Sequence, residues 1–115
     1  MIKKLLDKYG KWIKTYQVNR FRQSELRYEL VIHITFADDS RLIARDYRFT
    51  DGSRKYSYHY QKHNGDIIFR YDNAPHFRKL ENFPYHKHSP DNIVPSQVTN
   101  LEKVIEEIIG SLKGA

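Results

Sequence analysis

The chain contains no cysteine among its 115 residues. Disulfide bonds and thiolate-ligated zinc sites are therefore excluded, and the absence is typical of a reducing compartment. No stretch approaches the roughly 20 consecutive apolar residues that a membrane-spanning helix requires. Residues 1–7 also lack the apolar segment of a signal peptide. We therefore expect a cytoplasmic protein that does not enter a membrane.

The chain lacks the residues that two classes of enzyme require. The five glycines form no glycine-rich phosphate-binding loop, which argues against nucleotide hydrolysis. A cysteine nucleophile is absent, and no serine lies in the strand-to-helix motif that activates a serine nucleophile. The chemistry of this chain must therefore come from other side chains.

Positive charge exceeds negative charge. Lysine and arginine total 20 against 14 acidic residues, which gives a formal charge of +6 and a pI near 9.5. This balance favours polyanionic partners such as RNA, DNA or an acidic protein. The alternative is a basic surface that only keeps the protein soluble.

Strand-like alternation dominates the first two thirds of the chain. Apolar residues at every second position from Leu26 to Phe36 predict a strand with one buried and one wetter face. Four further segments show related patterns, and the Asn64-Gly65 pair is a strong hairpin signal. The five predicted strands cover residues 12–22, 26–36, 41–49, 55–61 and 66–72.

Two amphipathic segments predict helices at the ends of this meander. Residues 99–102 have the spacing of a helix capping box, and apolar residues then recur at helical intervals from Leu101 to Leu112. A shorter segment, residues 2–9, precedes Gly10. The length fits a single domain over residues 1–115. We predict an α+β fold in which both helices pack on one mainly antiparallel β-meander sheet of about five strands.

A cluster of ionisable residues lies where the last predicted strand enters a proline-containing loop. Arg70 and Asp72 share one side of that strand, and the imidazoles of His76, His86 and His88 follow within 16 residues. Imidazole is the side chain that exchanges protons near neutral pH. The cluster therefore indicates a functional site, formed by His76, His86, His88, Arg70 and Asp72.

These side chains fit metal-independent cleavage of RNA. His86 or His88 is a candidate base, His76 a candidate acid, and Arg70 and Lys87 are cations for the phosphate. Tyr58 or Tyr71 would stack on a base or donate a hydrogen bond. His59 is near enough to the alternating tyrosines Tyr56, Tyr58 and Tyr60 to join the site. No cofactor is expected.

Two other interpretations of the cluster stay open. In the first, His76 and His86 tie down the loop by bonding backbone carbonyls, and Arg70 and Asp72 form a cross-strand pair. In the second, His86 and His88 ligate zinc or manganese with His76 or Asp72.

Three segments resemble the TumE family of small toxins: residues 56–60, residues 69–76 with their DNAPH sequence, and residues 83–88 with their HKH sequence. Phe77 and Tyr85 stand where that pattern often has a further histidine. The resemblance implies the toxin half of a type II toxin–antitoxin module, neutralised by an antitoxin protein and acting on RNA or translation. The alternatives are a non-catalytic basic module that binds RNA or protein, and a metal-dependent enzyme.

Overall fold

A computed structural model describes residues 2–75 and 83–114 of the protein. The fold is α+β, as predicted, and all of its strands form one antiparallel sheet in chain order. His76, Arg78 and Lys79 lie outside the described residues. The elements are α1 (Ile2–Lys8), β1 (Ile13–Gln23), β2 (Tyr28–Phe36), β3 (Arg41–Arg48), β4 (Arg54–Gln61), β5 (Ile67–Asp72), β6 (His86–His88), β7 (Ile93–Pro95) and α2 (Leu101–Lys113).

The hydrophobic core lies between one face of this sheet and the two helices. The alternating residues of β2 from Leu30 to Phe36 are buried, as are Tyr56, Tyr58 and Tyr60 of β4. They form one cluster with Leu6 of α1 and the apolar side of α2. The period-two pattern of β2 therefore predicted its buried face correctly.

The second helix begins one residue later than a capping box starting at Thr99 would place it. Asn100 is the N-cap, and its side-chain oxygen accepts a hydrogen bond from the Lys103 amide at 2.9 Å. This contact satisfies one of the amides that the first turn of a helix leaves unpaired. Gly110 lies inside the helix, which is capped by Gly114.

Within residues 2–75 and 83–114 the sheet has seven strands, two more than predicted. The additional strands, β6 and β7, contain three residues each, which is too short for alternation to distinguish them from a loop. β6 matters most for function, because it pairs with β5 and carries two of the histidines. Asp72 therefore lies between paired strands within the sheet, and not at the end of the last strand as the sequence predicted.

The first strand forms one edge of the sheet. Its 11 residues pair with β2 on one side, with register shifts after Ile13 and Val18. Almost all of β1 is exposed, including Tyr16, Val18 and Phe21. No helix among the described residues is long and apolar enough to cross a membrane.

Candidate functional site

The candidate site lies on the face of the sheet opposite the helices, here called the open face. Strand pairing arranges its side chains in two neighbouring rows, because directly opposed residues of paired strands point to the same side. The Asp72 row runs Val31, Arg45, Ser57, Asp72, His86 and Pro95. The Arg70 row runs His33, Ile43, His59, Arg70, His88 and Ile93. Four predicted catalytic residues, Arg70, Asp72, His86 and His88, therefore meet, and we call them the Asp72 cluster.

The Asp72 carboxylate is the centre of this cluster. Its Oδ2 atom accepts a hydrogen bond from Arg70 Nε at 3.1 Å, and its Oδ1 atom accepts one from the Ala74 amide, also at 3.1 Å. His86 Nε2 lies 2.6 Å from Oδ1, and His88 Nε2 lies 3.5 Å from Oδ2. Asp72 is 6% exposed. A buried carboxylate needs such partners, because an unpaired buried charge is costly.

Both ring nitrogens of His86 have close contacts within the protein. Its Nδ1 atom is 2.9 Å from the Pro84 carbonyl oxygen, which can only accept, so Nδ1 carries a proton. Its Nε2 atom lies 2.6 Å from Asp72 Oδ1, which is within ion-pair distance, although this contact does not have the geometry of a hydrogen bond. His86 is 2% exposed. The ring therefore packs against Asp72, and its burial gives it little access to a substrate.

These contacts also bear on the interpretation of the cluster as a loop anchor. The bond from His86 to the Pro84 carbonyl is of the kind that this interpretation predicts. The ion pair of Arg70 and Asp72 is present, but it joins two residues of the same strand and does not cross between strands. Part of the cluster thus stabilises the chain before β6 whatever else it does.

His88 differs from His86 in its exposure and its electrostatic environment. Its side chain is 25% exposed. Burial lowers the pKa of His88 below its ordinary value; the Asp72 charge opposes this effect, while His86 and Arg70 lower the pKa further. A neutral imidazole at neutral pH can accept a proton. Of the two candidates for the base, His88 therefore has the more suitable surroundings.

His59 joins the open face one strand away. It lies directly opposite Arg70, and its Nε2 atom is 3.1 Å from Gln61 Oε1. Burial lowers the pKa of His59, and the positive charge of Arg70 lowers it further. Within the described part of the chain, its buried Nδ1 atom has no hydrogen-bond partner. His59 thus lies in the Arg70 row, on the opposite side of Arg70 from His88.

Three residues predicted to bind substrate lie on the opposite face. Tyr58 is completely buried, donates a hydrogen bond to Asp46 at 2.9 Å, and has a pKa that burial raises. Tyr71 donates a hydrogen bond to Glu107 of α2 at 2.7 Å. Lys87 lies 3.2 Å from the same carboxylate. The structure therefore does not bring Tyr58, Tyr71 or Lys87 to the Asp72 cluster.

Three of the cluster's residues also have the composition of a metal site. The nearest ligand atoms of Asp72, His86 and His88 all lie within 4.8 Å of one another. The bond from His86 Nδ1 to a backbone carbonyl is the support that metal-binding histidines usually have. Arg70 argues against a metal, because its guanidinium already occupies one oxygen of Asp72. The three side chains are of the types that bind a metal cation, but the positive charge of Arg70 beside Asp72 disfavours a cation there.

A pocket of about 480 Å³ adjoins the Asp72 cluster on the open face. Three cationic residues, Arg45, Lys55 and Arg70, line it together with Tyr47, Ser57 and Asp72. Arg45, Lys55 and Ser57 were not among the predicted site residues. Their alternation with the buried residues of β3 and β4 was a signal that could have placed them on this face.

Comparison with known proteins identifies one family. A family model described as Toxin TumE matches residues 2–114, which is nearly the whole chain. No curated protein and no solved structure matches the chain. The match agrees with the resemblance carried by residues 56–60, 69–76 and 83–88.

Proposed function

The chain belongs to the TumE toxin family, and from this premise we propose that it is a cytoplasmic toxin that cleaves RNA without a metal ion. The observation that carries the proposal is the pairing of a partly exposed histidine, His88, with a buried carboxylate and an arginine on the open face. The basic charge of the chain supports a polyanionic substrate.

The proposed reaction is an internal attack within the RNA strand. His88 removes the proton of a 2′-hydroxyl, and the resulting oxygen attacks the adjacent phosphorus. The bond from phosphorus to the 5′-oxygen breaks, and that oxygen takes a proton from an acid, for which His76 is the sequence-based candidate. The products are a 2′,3′-cyclic phosphate and a 5′-hydroxyl. Arg70 would stabilise the negative charge that develops on the phosphate.

Asp72 and His86 have a positioning role in this proposal. Asp72 bonds Arg70 and lies beside His88, so it sets the orientation of both side chains. His86 holds Asp72 from the other side and is itself fixed by the Pro84 carbonyl. A side chain anchored in this way loses little conformational freedom when substrate binds.

The test is induction of the chain in a host that lacks its antitoxin, with growth and RNA integrity followed together. We expect growth arrest and RNA breakage from the wild-type protein. His88→Gln and His76→Ala should each reduce cleavage by about 10² to 10⁴, the usual contribution of an acid or base. His63→Gln is the matched control, because His63 lies in the exposed β4–β5 turn. Growth arrest without RNA breakage would favour a non-catalytic binding module.

The second candidate function is metal-dependent hydrolysis. It is favoured by the proximity of ligand atoms in Asp72, His86 and His88. In that case a bound cation would activate water and polarise the phosphate. The Arg70–Asp72 ion pair makes this the weaker proposal, because the cation would have to displace the guanidinium or share a carboxylate oxygen with it.

A toxin of this family implies an antitoxin partner, and we propose that an acidic segment of that partner pairs with β1. The strand is an exposed edge, which offers unpaired backbone groups to another chain. Tyr16, Val18 and Phe21 expose apolar surface along it. Its charged residues are Lys14, Arg20 and Arg22, with no acidic residue among them. Lys14 already pairs with Asp39 and Arg20 with Glu29, so Arg22 is the cation that has no ion pair in the described part of the chain. A partner strand that carries carboxylates and apolar side chains matches this edge in charge and in chemistry.

A further inference from the structure

The pocket beside the Asp72 cluster has an unusual balance of charge. Arg45, Lys55 and Arg70 contribute three cations to its lining, and Asp72 contributes one carboxylate. That carboxylate is already engaged by Arg70 and His86. Arg45 and Lys55 have no ion-pair partner within residues 2–75 and 83–114. Two positive charges at the pocket are therefore not neutralised by the part of the protein that the structure describes.

The walls of the pocket are fixed by backbone contacts. Asn73 donates a hydrogen bond to the Arg54 carbonyl at 2.8 Å and accepts one from the Tyr56 amide at 2.9 Å. These two bonds tie the chain after β5 to β4, so the pocket keeps its shape without a ligand. Ser57, which lines the pocket, lies between Arg45 on one neighbouring strand and Asp72 on the other. Its hydroxyl can donate a hydrogen bond to an anion.

The pocket also stands in a defined position relative to His88. Arg45 on β3 and His88 on β6 are three strands apart, which is about 14 Å across the sheet at the backbone. Arg70 lies at the boundary, since it lines the pocket and pairs across the sheet with His88. A single strand of nucleic acid that crosses the sheet along these rows would bring one phosphate to His88 and another to Arg45.

We propose that this pocket binds a backbone phosphate of single-stranded RNA, on the same strand as the phosphate that is cleaved but at a distance from it, with Arg45 and Lys55 as the contacting cations. The inference rests on the proposed action on RNA and adds a second binding position to it. Phosphate recognition by cations carries no information about base identity. The pocket would therefore strengthen binding to all sequences equally.

The experiment measures the binding of a fluorescent single-stranded RNA of mixed sequence to the full chain across a range of salt concentrations. Each neutralised phosphate adds about 0.7 to the slope of log affinity against log salt for a single strand. We expect Arg45→Gln and Lys55→Gln to lower this slope by about 0.7 for each phosphate that the variant no longer neutralises. Arg45→Lys keeps the charge and should keep the slope.

Arg48→Gln is the matched control. Arg48 lies on the same strand as Arg45, three residues further on, and is exposed without lining this pocket. The substitution removes the same charge from the protein, so it measures the effect of net charge alone. A slope that falls equally in Arg48→Gln and Arg45→Gln would overturn the proposal. Lys55 is exposed, so Lys55→Gln keeps the test valid if Arg45→Gln fails to fold.

Failure of this proposal can be distinguished from failure of the proposed function. RNA cleavage that depends on His88, together with a slope unchanged in Arg45→Gln and Lys55→Gln, would reject the pocket and keep the function. A lower slope in both variants, with no RNA cleavage by the wild-type protein, would keep the pocket and reject the chemistry. An unchanged slope with loss of neutralisation by the antitoxin would show that the pocket binds carboxylates of a protein, which also rejects the proposal.

Discussion

Asp72 and His86 face each other across β5 and β6, with Oδ1 and Nε2 separated by 2.6 Å. Both side chains are almost completely buried, and each has a further fixed contact, Asp72 with the Ala74 amide and His86 with the Pro84 carbonyl. The pair therefore links the sheet to the chain on either side of the segment that carries His76. Because His88 lies two residues after His86 on β6, these buried contacts also help to fix the position of His88.

Loss of the Asp72 charge should strongly destabilise the protein. Asp72→Asn leaves Arg70 and His86 without their common anion, and breaking a buried pair costs about 3 to 5 kcal/mol. Urea unfolding of the purified protein measures this change. Asp91→Asn is the control, since Asp91 is exposed and such changes usually stay within about 0.5 kcal/mol. Equal stability of the two variants would mean that Asp72 is not the centre of the buried network.

Alternation predicted most of the sheet because β2, β3 and β4 each bury one side. The positions of Tyr56, Tyr58 and Tyr60 show this, since every second residue of β4 enters the core. The sequence did not predict β6, because three residues are too few to show alternation. In any extended segment, however, Lys87 points to the opposite side from His86 and His88. Nearness in sequence placed Lys87 in the site; the pleat of the strand places it against α2.

The contribution of β3 to the site could not be predicted from local pattern. Arg45 and Asp72 lie in the same row only because β3 pairs with β4 and β4 pairs with β5. Register between strands depends on turn geometry and on the packing of the whole sheet. A charged residue in a period-two strand is usually only part of the solvated face. The sequence therefore indicated which face Arg45 occupies, and the register determined which residues surround it.

Acid should weaken the fold through His59. Burial and the neighbouring Arg70 lower its pKa in the folded protein below 6.5, the value expected for the unfolded chain. The unfolded chain therefore takes up a proton first as the pH falls, so stability is full above about pH 6.5 and decreases below it. His88 has a lowered pKa and acts in the same direction.

The measurement for this prediction is urea unfolding at a series of pH values. His59→Gln should make the decrease in stability below about pH 6.5 shallower, leaving the share due to His88. His63→Gln, in the exposed turn after β4, should leave the pH dependence as it is in the wild type. The prediction is contradicted if His59→Gln and the wild-type protein lose stability in parallel.

Cleavage of RNA should persist in the presence of a chelator. The proposed reaction uses imidazoles for proton transfer and Arg70 for charge, so removal of divalent cations should leave its rate unchanged. The assay compares RNA breakage by purified protein before and after treatment with EDTA. Loss of cleavage in EDTA and its recovery with zinc or manganese would instead favour a cation held by Asp72, His86 and His88.

Disruption of β1 should separate toxicity from neutralisation. Val18→Asp places a negative charge on the exposed edge, where it would repel an acidic partner strand. We expect full growth arrest from this variant and loss of protection when the antitoxin is expressed with it. Val98→Asp is the matched control, because Val98 is 48% exposed against 41% for Val18 and lies outside β1, in the segment before α2. Full protection of cells that express Val18→Asp would place the antitoxin elsewhere.

Arg70 and Lys87 provide a final test, because they have the same charge, neighbouring strands and opposite faces. Arg70 pairs with Asp72 on the open face, whereas Lys87 pairs with Glu107 of α2. The sequence predicted that both contact the phosphate chain, but only Arg70 can do so if RNA crosses the open face. We therefore expect Arg70→Gln to lower the salt slope of RNA binding by about 0.7 and Lys87→Gln to leave it unchanged. Thermal unfolding of both variants controls for damage to the fold. If Lys87→Gln lowers the slope and Arg70→Gln does not, the RNA lies against α2, and the imidazoles of the open face are then not within its reach.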